Sequence, residues 1–483
     1  MEMTLTEDWL PEPGVLVEFT PTATTRRAVI DATVSPAPPT FLQESHIRRW
    51  AERRGTDNPL ASEISLCFTV AMPLDREALC RAFTTFLRRH ETLRSWFDAS
   101  EDALVSARYL IDAADLDLET VDKGHFTDGE HLRDILVAEF RAAADPTRWP
   151  AVVCAAIDHG ADGFTLLYST DHAFSDGLSL VSAVFELHSC YTAYARGEQP
   201  ALLPVGSYVE FATAERSAAE AGSAELDAMA ALLADNAHRV RPLPWELGLR
   251  SGELAESRGY DVDLLDCAEC DAFSDLCKSL GHTFSSGLFA VIALAELELA
   301  GRTDYLALNV VGTRDEPKYR LAQGWFVNLL PISFEVGRAG LFTDLIARAA
   351  TAADTVKPLA AVPIHAALGR ATDLTGVPMP ATTDFPWVSY LDLRAMSGTA
   401  LENALPRVSG IHGLGSRSRI GQVSPLWFSR ELDRLHVTVL FPDTDAALAS
   451  ATRYLHHLRD ILRSVARTGE YRTATADAPA LPG

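Results

Sequence analysis

Apolar residues recur with two distinct periods along the first two hundred positions of the chain. Leu79, Phe83, Phe86 and Leu87 repeat at helical spacing after Asp75, a residue type that caps helices through its carboxylate. Shorter apolar runs rich in β-branched residues are typical of strands. The pattern predicts an extended stretch over the first 40 residues, helices over 40–54, 75–90 and 178–194, and strands over 64–70, 151–157 and 164–170.

A Pro- and Gly-rich break at 197–206 precedes a second part of the chain with a similar pattern. One long helix is predicted from 208 to about 240, followed by an irregular stretch to 259. Beyond it the pattern predicts helices from 267 and over 284–299, strands over 305–311, 329–334, 387–393 and 435–441, and a final amphipathic helix around 455–465. We therefore expect two α/β halves, divided as residues 1–205, a connecting helix and linker over 206–260, and residues 261–483.

Composition and charge narrow the class of protein. Of the 483 residues, 47% are hydrophobic and 22% are charged, which is ordinary for a globular chain of two or three domains. The formal net charge is -24, so the chain lacks the overall basic character of a nucleic-acid binder. We expect no nucleic-acid partner.

Three features bear on the compartment. The longest apolar run, 287–295, is well short of the ~20 residues that span a bilayer. The first 12 residues are acidic and lack the basic-then-apolar order of a signal peptide. The seven cysteines are scattered and odd in number, as is typical of reduced thiols. These features predict a cytoplasmic protein with no membrane span.

The segment 168–178 carries the clearest candidate chemistry. A predicted strand delivers His172 to a loop, Asp176 and Gly177 follow, and a helix begins. A neutral imidazole can take a proton from a hydroxyl near pH 7, an aspartate can hold the loop by pairing with an arginine, and a glycine permits an unusual backbone angle. On spacing alone, a loop histidine followed by a helix-capping aspartate is the favoured interpretation, because this spacing is common. One histidine with Asp171 and Asp176 lacks the second histidine or thiolate of a zinc site, so no metal is expected.

Five segments in order then resemble the motifs of one superfamily. The loop Asp171-His-Ala-Phe-Ser-Asp-Gly177 resembles the His-His-x-x-x-Asp-Gly motif of the condensation-domain and chloramphenicol-acetyltransferase-like proteins. The other matches are Phe41-Leu-Gln-Glu-Ser45 through Trp50, Arg89-His-Glu-Thr-Leu-Arg94-Ser-Trp-Phe97, Ser207-Tyr-Val-Glu-Phe211 and Gly324-Trp-Phe-Val-Asn328-Leu-Leu-Pro331. Five ordered matches over 41–331 are far more specific than any one of them.

Within the superfamily, residues 8–39 and the Asp171–His172 pair resemble the actinobacterial polyketide-associated, or Pap-type, acyltransferases. The resemblance implies two chloramphenicol-acetyltransferase-like subdomains in a V-shaped pseudo-dimer with a central channel. It also implies a monomer that moves an acyl group from a carrier-protein or coenzyme A thioester to a hydroxyl of a lipid or sugar. Apart from the phosphopantetheine or coenzyme A of the donor, no cofactor is implied.

The resemblance also implies roles for individual residues. His172 would be the general base, and Asp171, Asp176 and Gly177 would shape its loop. Asp176 would pair with Arg94 or, as a second choice, with Arg89. The wall of the substrate channel would include Trp325, Asn328 and Ser389.

One residue departs from the family motif, and two alternative functions remain open. Asp171 stands where most condensation domains have a first histidine, which favours ester formation over peptide-bond formation. A free-standing condensation enzyme that forms an amide or cyclises a carrier-bound intermediate remains an alternative, and so does a non-catalytic module that docks a carrier protein. The presence of His172 with Asp176 and Gly177 favours an enzyme.

Four other patterns mimic functional motifs but have simpler interpretations. Residues 158–163 contain a second Asp-His pair and predict a hairpin turn. His456 and His457 are predicted on the solvated face of a helix, Cys267 and Cys270 as structural cysteines, and 413–418 as a flexible loop.

A basic cluster surrounds Trp50. Arg49 and Arg53 share a helix face, Arg48 and Arg54 flank them, and Arg48 is expected to turn inward. Carrier proteins are acidic, so this cluster is a candidate docking surface; a solvated face balanced by Glu44 and Glu52 is the alternative.

Overall fold

The computed structural model describes residues 2–99, 105–338, 340–394, 404–405, 407–423 and 425–473. The helices are α1 Ala23–Ile30, α2 Phe41–Arg53, α3 Arg76–Arg89, α4 Gly129–Ala143, α5 Gly177–Ala195, α6 Tyr208–Ala221, α7 Ala224–Asn236, α8 Cys267–Ser279, α9 Phe284–Ala300, α10 Phe342–Val356, α11 Ile364–Thr375 and α12 Asp445–Thr468. The strands are β1 Glu2–Leu5, β2 Gly14–Pro21, β3 Thr33–Ser35, β4 Glu63–Val70, β5 Ser95–Ala99, β6 Val105–Leu110, β7 Leu118–Phe126, β8 Val152–Asp158, β9 Phe164–Asp171, β10 Ala255–Asp266, β11 Asp304–Gly312, β12 Val327–Glu335, β13 Trp387–Asp392, β14 Val408–Gly415, β15 Arg419–Ile420, β16 Leu426–Arg430 and β17 Arg434–Pro442.

The chain divides into two compact units that are both discontinuous in sequence. The first comprises Met1–Glu220 and Arg314–Val327 with the described residues of Met396–Ser418. The second comprises the intervening segments and the C-terminal part of the chain. The division predicted from sequence used three contiguous segments, whereas these units are discontinuous and residues 314–327 cluster with the first unit.

A seven-stranded sheet forms the centre of the first unit, in the order β1-β14-β4-β9-β8-β2-β7. Its neighbours pair antiparallel except for β1 and β14, which run parallel. Every residue of β9 is buried, which explains why 164–171 is an almost continuous apolar and small-residue run. The end of this strand is therefore a rigid point of attachment for the residues that follow.

Helices cover both faces of this sheet. Ile64, Leu66 and Phe68 of β4 pack in one cluster with residues of α3 and α5. On the opposite face, Cys67 of β4 packs with residues of α4 such as Leu136. The alternation follows from the strand's two-residue period, and it fixes the register of β4 against both layers.

The second unit is built around another seven-stranded sheet, in the order β12-β11-β13-β16-β17-β10-β15. Strands β11, β13 and β16 run parallel, whereas β16, β17, β10 and β15 pair antiparallel. Helix α9 is buried along most of its length, and α12 packs one apolar stripe that includes Leu455, Leu458 and Leu462. This confirms the amphipathic helix predicted near the C-terminal end.

Three local predictions were wrong. The long helix over 208–240 is two helices, because Gly222 between them has a φ of +67°. The first 40 residues are not simply extended, since Thr22 caps α1. The predicted loop over 413–418 begins within β14, where Gly413 pairs with both β1 and β4.

Among the described residues, no single helix is long and apolar enough to cross a membrane. Helices α8 and α9 meet the length and composition together, but the chain bends by 100° at the break between them.

Candidate active site

His172 stands immediately after β9, in a short 3-10 turn that spans His172–Phe174. Its backbone N–H donates to the carbonyl of Ser62, at 2.7 Å, just before β4 begins. The imidazole lies against the Trp325 ring, with 4.1 Å between ring centroids. A strand end, a neighbouring strand and an aromatic ring thus define the position of His172.

The surroundings of His172 favour its neutral form. Burial lowers the pKa of the imidazole, and the charge of His46 lowers it further, against weaker opposing effects that include Asp176 and Asp171. Nδ1 is buried without a hydrogen-bond partner of good geometry. The ring is therefore an unprotonated base near neutral pH, and Nε2 is the nitrogen available to a reactant.

Asp171 belongs to a buried network that the sequence analysis did not identify. Its Oδ1 lies 3.0 Å from Nε2 of His46 and accepts from the N–H of Ala173, and its Oδ2 accepts from the Ser62 hydroxyl at 2.6 Å. Burial alone would raise the pKa of Asp171, but the charge of His46 and these hydrogen bonds outweigh it and hold the pKa below its usual value. Asp171 is thus an ionised, fully satisfied carboxylate directly beside the candidate base.

His46 connects this network to the ring that covers His172. It lies on the buried side of α2, and its ring meets Trp325 edge-on with 5.3 Å between centroids. The segment from Phe41 to Trp50 resembles a family motif, but no sequence signal predicts that His46 contacts Asp171, which lies 125 positions away.

Asp176 caps α5 and joins the loop to a distant segment. Its carboxylate accepts from the N–H of Ser179 at 2.8 Å and from the N–H of Phe326 at 3.0 Å. The Arg314 guanidinium donates to both carboxylate oxygens, at 2.7 and 2.9 Å. Both partners are almost fully buried, so this is a bidentate ion pair with its hydrogen bonds largely satisfied.

The predicted pairing of Asp176 with Arg94 or Arg89 was wrong. Arg94 instead donates to the backbone carbonyls of Arg88 and Ile111. Arg89 pairs with Glu186 at 3.1 Å. Arg94 therefore holds backbone on either side of its own turn, Arg89 joins α3 to α5, and the partner of Asp176 lies 138 residues further along the chain.

The two glycines of the matched motifs have different functions. Gly177 has no unusual backbone angle, contrary to the prediction, and a Cβ placed there would meet no atom within 4 Å. Gly324 has a φ of +154°, and a Cβ there would lie 2.3 Å from the Tyr208 ring. Backbone conformation and crowding therefore require glycine at 324 but not at 177.

The three predicted channel residues fall in different units. Trp325 belongs to the first unit and lies on His172, whereas Asn328 and Ser389 belong to the second. The Asn328 amide donates to the carbonyls of Ala360 and Val362, and its oxygen accepts from the N–H of Ile364. Its side chain is therefore used to hold the local backbone. Ser389 is buried within β13.

The motif mimics have structural explanations. His159 lies at the turn between β8 and β9, as predicted, and contacts the Pro13 carbonyl and the Thr165 hydroxyl. The prediction of a solvated pair at 456–457 was wrong for His457, which bonds Glu298 at 2.8 Å. All seven cysteines are free, and no group of three metal-ligating side chains occurs within the part of the chain that the structure describes.

Comparison with known proteins identifies relatives across almost the whole chain. The family model described as the Condensation domain matches residues 37–371. Acyltransferase PapA3 of Mycobacterium tuberculosis is 29% identical over 468 residues, which cover 96% of each chain. The 2'-acyl-2-O-sulfo-trehalose (hydroxy)phthioceranyltransferase PapA1 of Mycobacterium bovis is 30% identical over 480 residues, which cover 97% of this chain and 89% of that protein.

Solved structures agree with these relatives. A structure described as PapA2 acyl transferase superposes with a TM-score of 0.86 at 25% identity, covering 97% of this chain and all of that one. The condensation domain of the Monacolin K polyketide synthase MokA gives a TM-score of 0.64 at 18% identity over 90% and 98% of the two chains, a likeness of fold. The predicted mixed α/β fold with two sheet-rich halves is confirmed.

Replacing Asp176 with Asn should lower stability and activity together. The change leaves the buried Arg314 charge without its anionic partner, and breaking a buried ion pair in this way costs about 3–5 kcal/mol. Arg314→Gln should have a similar effect, and the double variant should lose less than the sum of the two, because the partners are in direct contact. Urea unfolding, fitted with one denaturant slope for all of the proteins, gives the free energy of unfolding of the two single variants and the double variant.

Gly177→Ala is the matched control, since the added methyl group meets open space and should leave the unfolding midpoint unchanged. An Asp176→Asn variant of full stability and no activity would instead assign Asp176 a chemical function.

Proposed function

The chain belongs to the condensation-domain family and is an acyltransferase of that fold, and from this premise we propose that it transfers an acyl group from a thioester to a hydroxyl, forming an ester. The imidazole of His172, placed directly after β9 and against Trp325 in surroundings that lower its pKa, is the observation that carries the proposal. No other histidine in the described residues combines a matched motif, a location directly after a buried strand and a ring whose pKa is lowered.

The proposed reaction needs one base and no change of oxidation state. The acceptor oxygen attacks the thioester carbonyl while its proton passes to Nε2 of His172. The tetrahedral intermediate then collapses, the carbon–sulfur bond breaks, and the thiolate takes the proton back from the imidazolium. General-base help of this kind contributes about 10²–10⁴-fold, and positioning of the two substrates supplies much of the remainder.

The other site residues act in this proposal through His172. Asp176 and Arg314 hold the loop and the Trp325 segment together. The contact with His46 fixes Asp171, which directly precedes His172 in the chain. Trp325 restricts the imidazole to one orientation by covering its face. These are positioning residues, since none of them has to exchange a proton with the substrates.

The nature of the acceptor is proposed from the relatives. PapA1 and PapA2 carry names that describe acyl transfer to sulfated trehalose, a sugar with free hydroxyl groups. We infer that a sugar or a related hydroxyl compound in lipid or natural-product biosynthesis is the acceptor here. The donor is proposed to be a carrier-protein or coenzyme A thioester, because both present the same thioester chemistry.

Replacing His172 with Gln should abolish acyl transfer while retaining the fold, because Gln fills a similar volume under Trp325 but cannot accept the proton. The assay is a simple acyl thioester with a panel of alcohols and amines, followed by mass spectrometry of the products. His159→Gln, in the hairpin that mimics the motif, is the matched control and should keep full transfer activity.

The same panel separates the alternatives. Amide products in place of esters would identify a condensation enzyme of the amide-forming kind, and no product with any acceptor would favour a docking module. Activity of His172→Gln within about tenfold of the wild type would contradict the general-base assignment.

The pH dependence of kcat/KM should reflect the lowered pKa of His172. The base is active when neutral, so activity should persist below the ordinary histidine pKa of about 6.5 and fall only as the pH drops through the lowered value. His46→Gln removes the charge that acts most strongly on the ring, so the acid limb should move to higher pH. A limb that stays in place or moves to lower pH in this variant would show that His46 does not set the state of His172.

The two donor classes can be distinguished directly. An acylated carrier protein and the matching acyl-coenzyme A are each incubated with enzyme and acceptor, and intact-mass measurement follows loss of the acyl group. We expect transfer from the carrier protein to be faster at equal concentration, since a carrier adds a docking surface to the same thioester. Equal rates, or faster transfer from coenzyme A, would show that a carrier protein is not the preferred donor.

A further inference from the structure

Helix α2 presents two arginines on the side that faces the candidate active site. Arg49 comes three residues after His46, and Arg53 comes seven residues after it. At 100° per residue, all three therefore lie within about 60° of one another around the helix. Along the axis, Arg49 is about 4.5 Å and Arg53 about 10.5 Å beyond His46. Because His46 contacts Asp171, the residue before His172, the two arginines extend away from the reaction centre in one direction.

These two arginines differ from the others in the basic cluster. Arg48 is exposed and pairs with Glu44 at 2.7 Å, rather than turning inward as predicted. Arg54 is exposed and lies over the Trp50 ring. Arg49 and Arg53 are half-buried, and within the described ranges neither has a carboxylate at ion-pair distance.

Arg49 and Arg53 carry like charges one helical turn apart, and Arg49 is partly withdrawn from water. Nε of Arg49 is buried and has no hydrogen-bond partner. Burial lowers the pKa of Arg49, and the charge of Arg53 lowers it further, with only a smaller opposing effect from Glu52. In a chain with 66 acidic and 42 basic residues, two adjacent cations without an acidic partner are an unusual arrangement that an anion would relieve.

We propose that Arg49 and Arg53 form a binding site for an oxyanion, a phosphate or sulfate ester carried by one of the two substrates. Two guanidinium forks on adjacent turns offer several N–H donors to the tetrahedral oxygens, which is the geometry that arginine provides for such groups. The proposal rests on the proposed acyl transfer, in which the phosphate of the donor's phosphopantetheine arm or an anionic ester on the acceptor would bind there. Either source would anchor its substrate at a fixed distance from His172.

The test compares Arg49→Gln/Arg53→Gln with the matched control Arg48→Gln/Arg54→Gln, which removes the same charge from α2 and the residue that caps its C-terminal end. Three thioester donors with one acyl chain are used: pantetheine without a phosphate, 4'-phosphopantetheine, and coenzyme A. If the donor phosphate binds there, the Arg49/Arg53 variant should raise KM about tenfold or more for the two phosphorylated donors, with kcat retained. KM for the pantetheine donor should not change, and the control variant should behave as wild type with all three.

A second arm identifies the source. A sulfated and an unsulfated disaccharide are compared as acceptors with the pantetheine donor. A rise in KM confined to the sulfated sugar would support the site and assign it to the acceptor. No selective effect in either arm would overturn the proposal. An acylated carrier protein is included as a fourth donor, and an effect seen only with this donor would overturn the proposal as well, by assigning the arginines to the acidic surface of the carrier.

A binding measurement keeps this test independent of the reaction. Calorimetric titration of the wild type with 4'-phosphopantetheine, pantetheine and the sulfated sugar requires no turnover. Tighter binding of either anionic compound, lost in Arg49→Gln/Arg53→Gln and kept in the control, would support the site even if no acyl transfer were found. Equal binding of the anionic compounds by both variants would overturn the site even in an active acyltransferase.

Discussion

The buried ion pair between Asp176 and Arg314 is the interaction on which the site depends. Its carboxylate accepts from two backbone N–H groups as well as from the guanidinium, so one side chain ends the histidine loop, begins α5 and holds the segment that carries Trp325. A buried pair of this kind is stable only when nearly all of its hydrogen bonds are made. The position of Trp325 against His172 therefore depends on Asp176, because Asp176 holds the N–H of the next residue, Phe326.

A second constraint sets the charge of the base. His172 is followed by an aspartate four residues on and preceded directly by another, an arrangement that would favour the protonated ring. Burial and the charge of His46 oppose this and prevail. Asp171 remains ionised because His46, Ser62 and the backbone of Ala173 all donate to it. The carboxylate of Asp171 is thus paired with a histidine on α2.

Local signals in the sequence predicted the elements that carry the site. The strand before His172, the helix after Asp176 and the capping by Asp75 depend on residues close together in the chain, and all three were confirmed. Long-range pairings had no such signal. Arg314 is one of many arginines, and only the fold brings it to Asp176. The sequence therefore predicted a partner among the arginines of a matched motif.

The remaining differences have equally physical causes. Gly222 interrupts an otherwise helical pattern, and apolar periodicity carries no information about the sign of φ at a glycine. The 413–418 segment looked like a loop because its glycines are poor strand formers, yet β14 is stabilised by partners on both sides. The motif predicts a special backbone angle at Gly177, whereas the structure has an ordinary angle and open space beside this residue.

The assignment of His172 as a neutral base depends on the protonation state of its ring, which can be titrated in the intact enzyme. Nuclear magnetic resonance of enzyme labelled at histidine nitrogens, with the His172 signals assigned by their absence from His172→Gln, follows protonation of this ring alone. We expect a midpoint below the ordinary histidine value of about 6.5, with a neutral ring throughout the pH range of activity. A midpoint at or above about 7 would contradict it, because His172 would then be substantially protonated and unable to accept a proton near neutral pH.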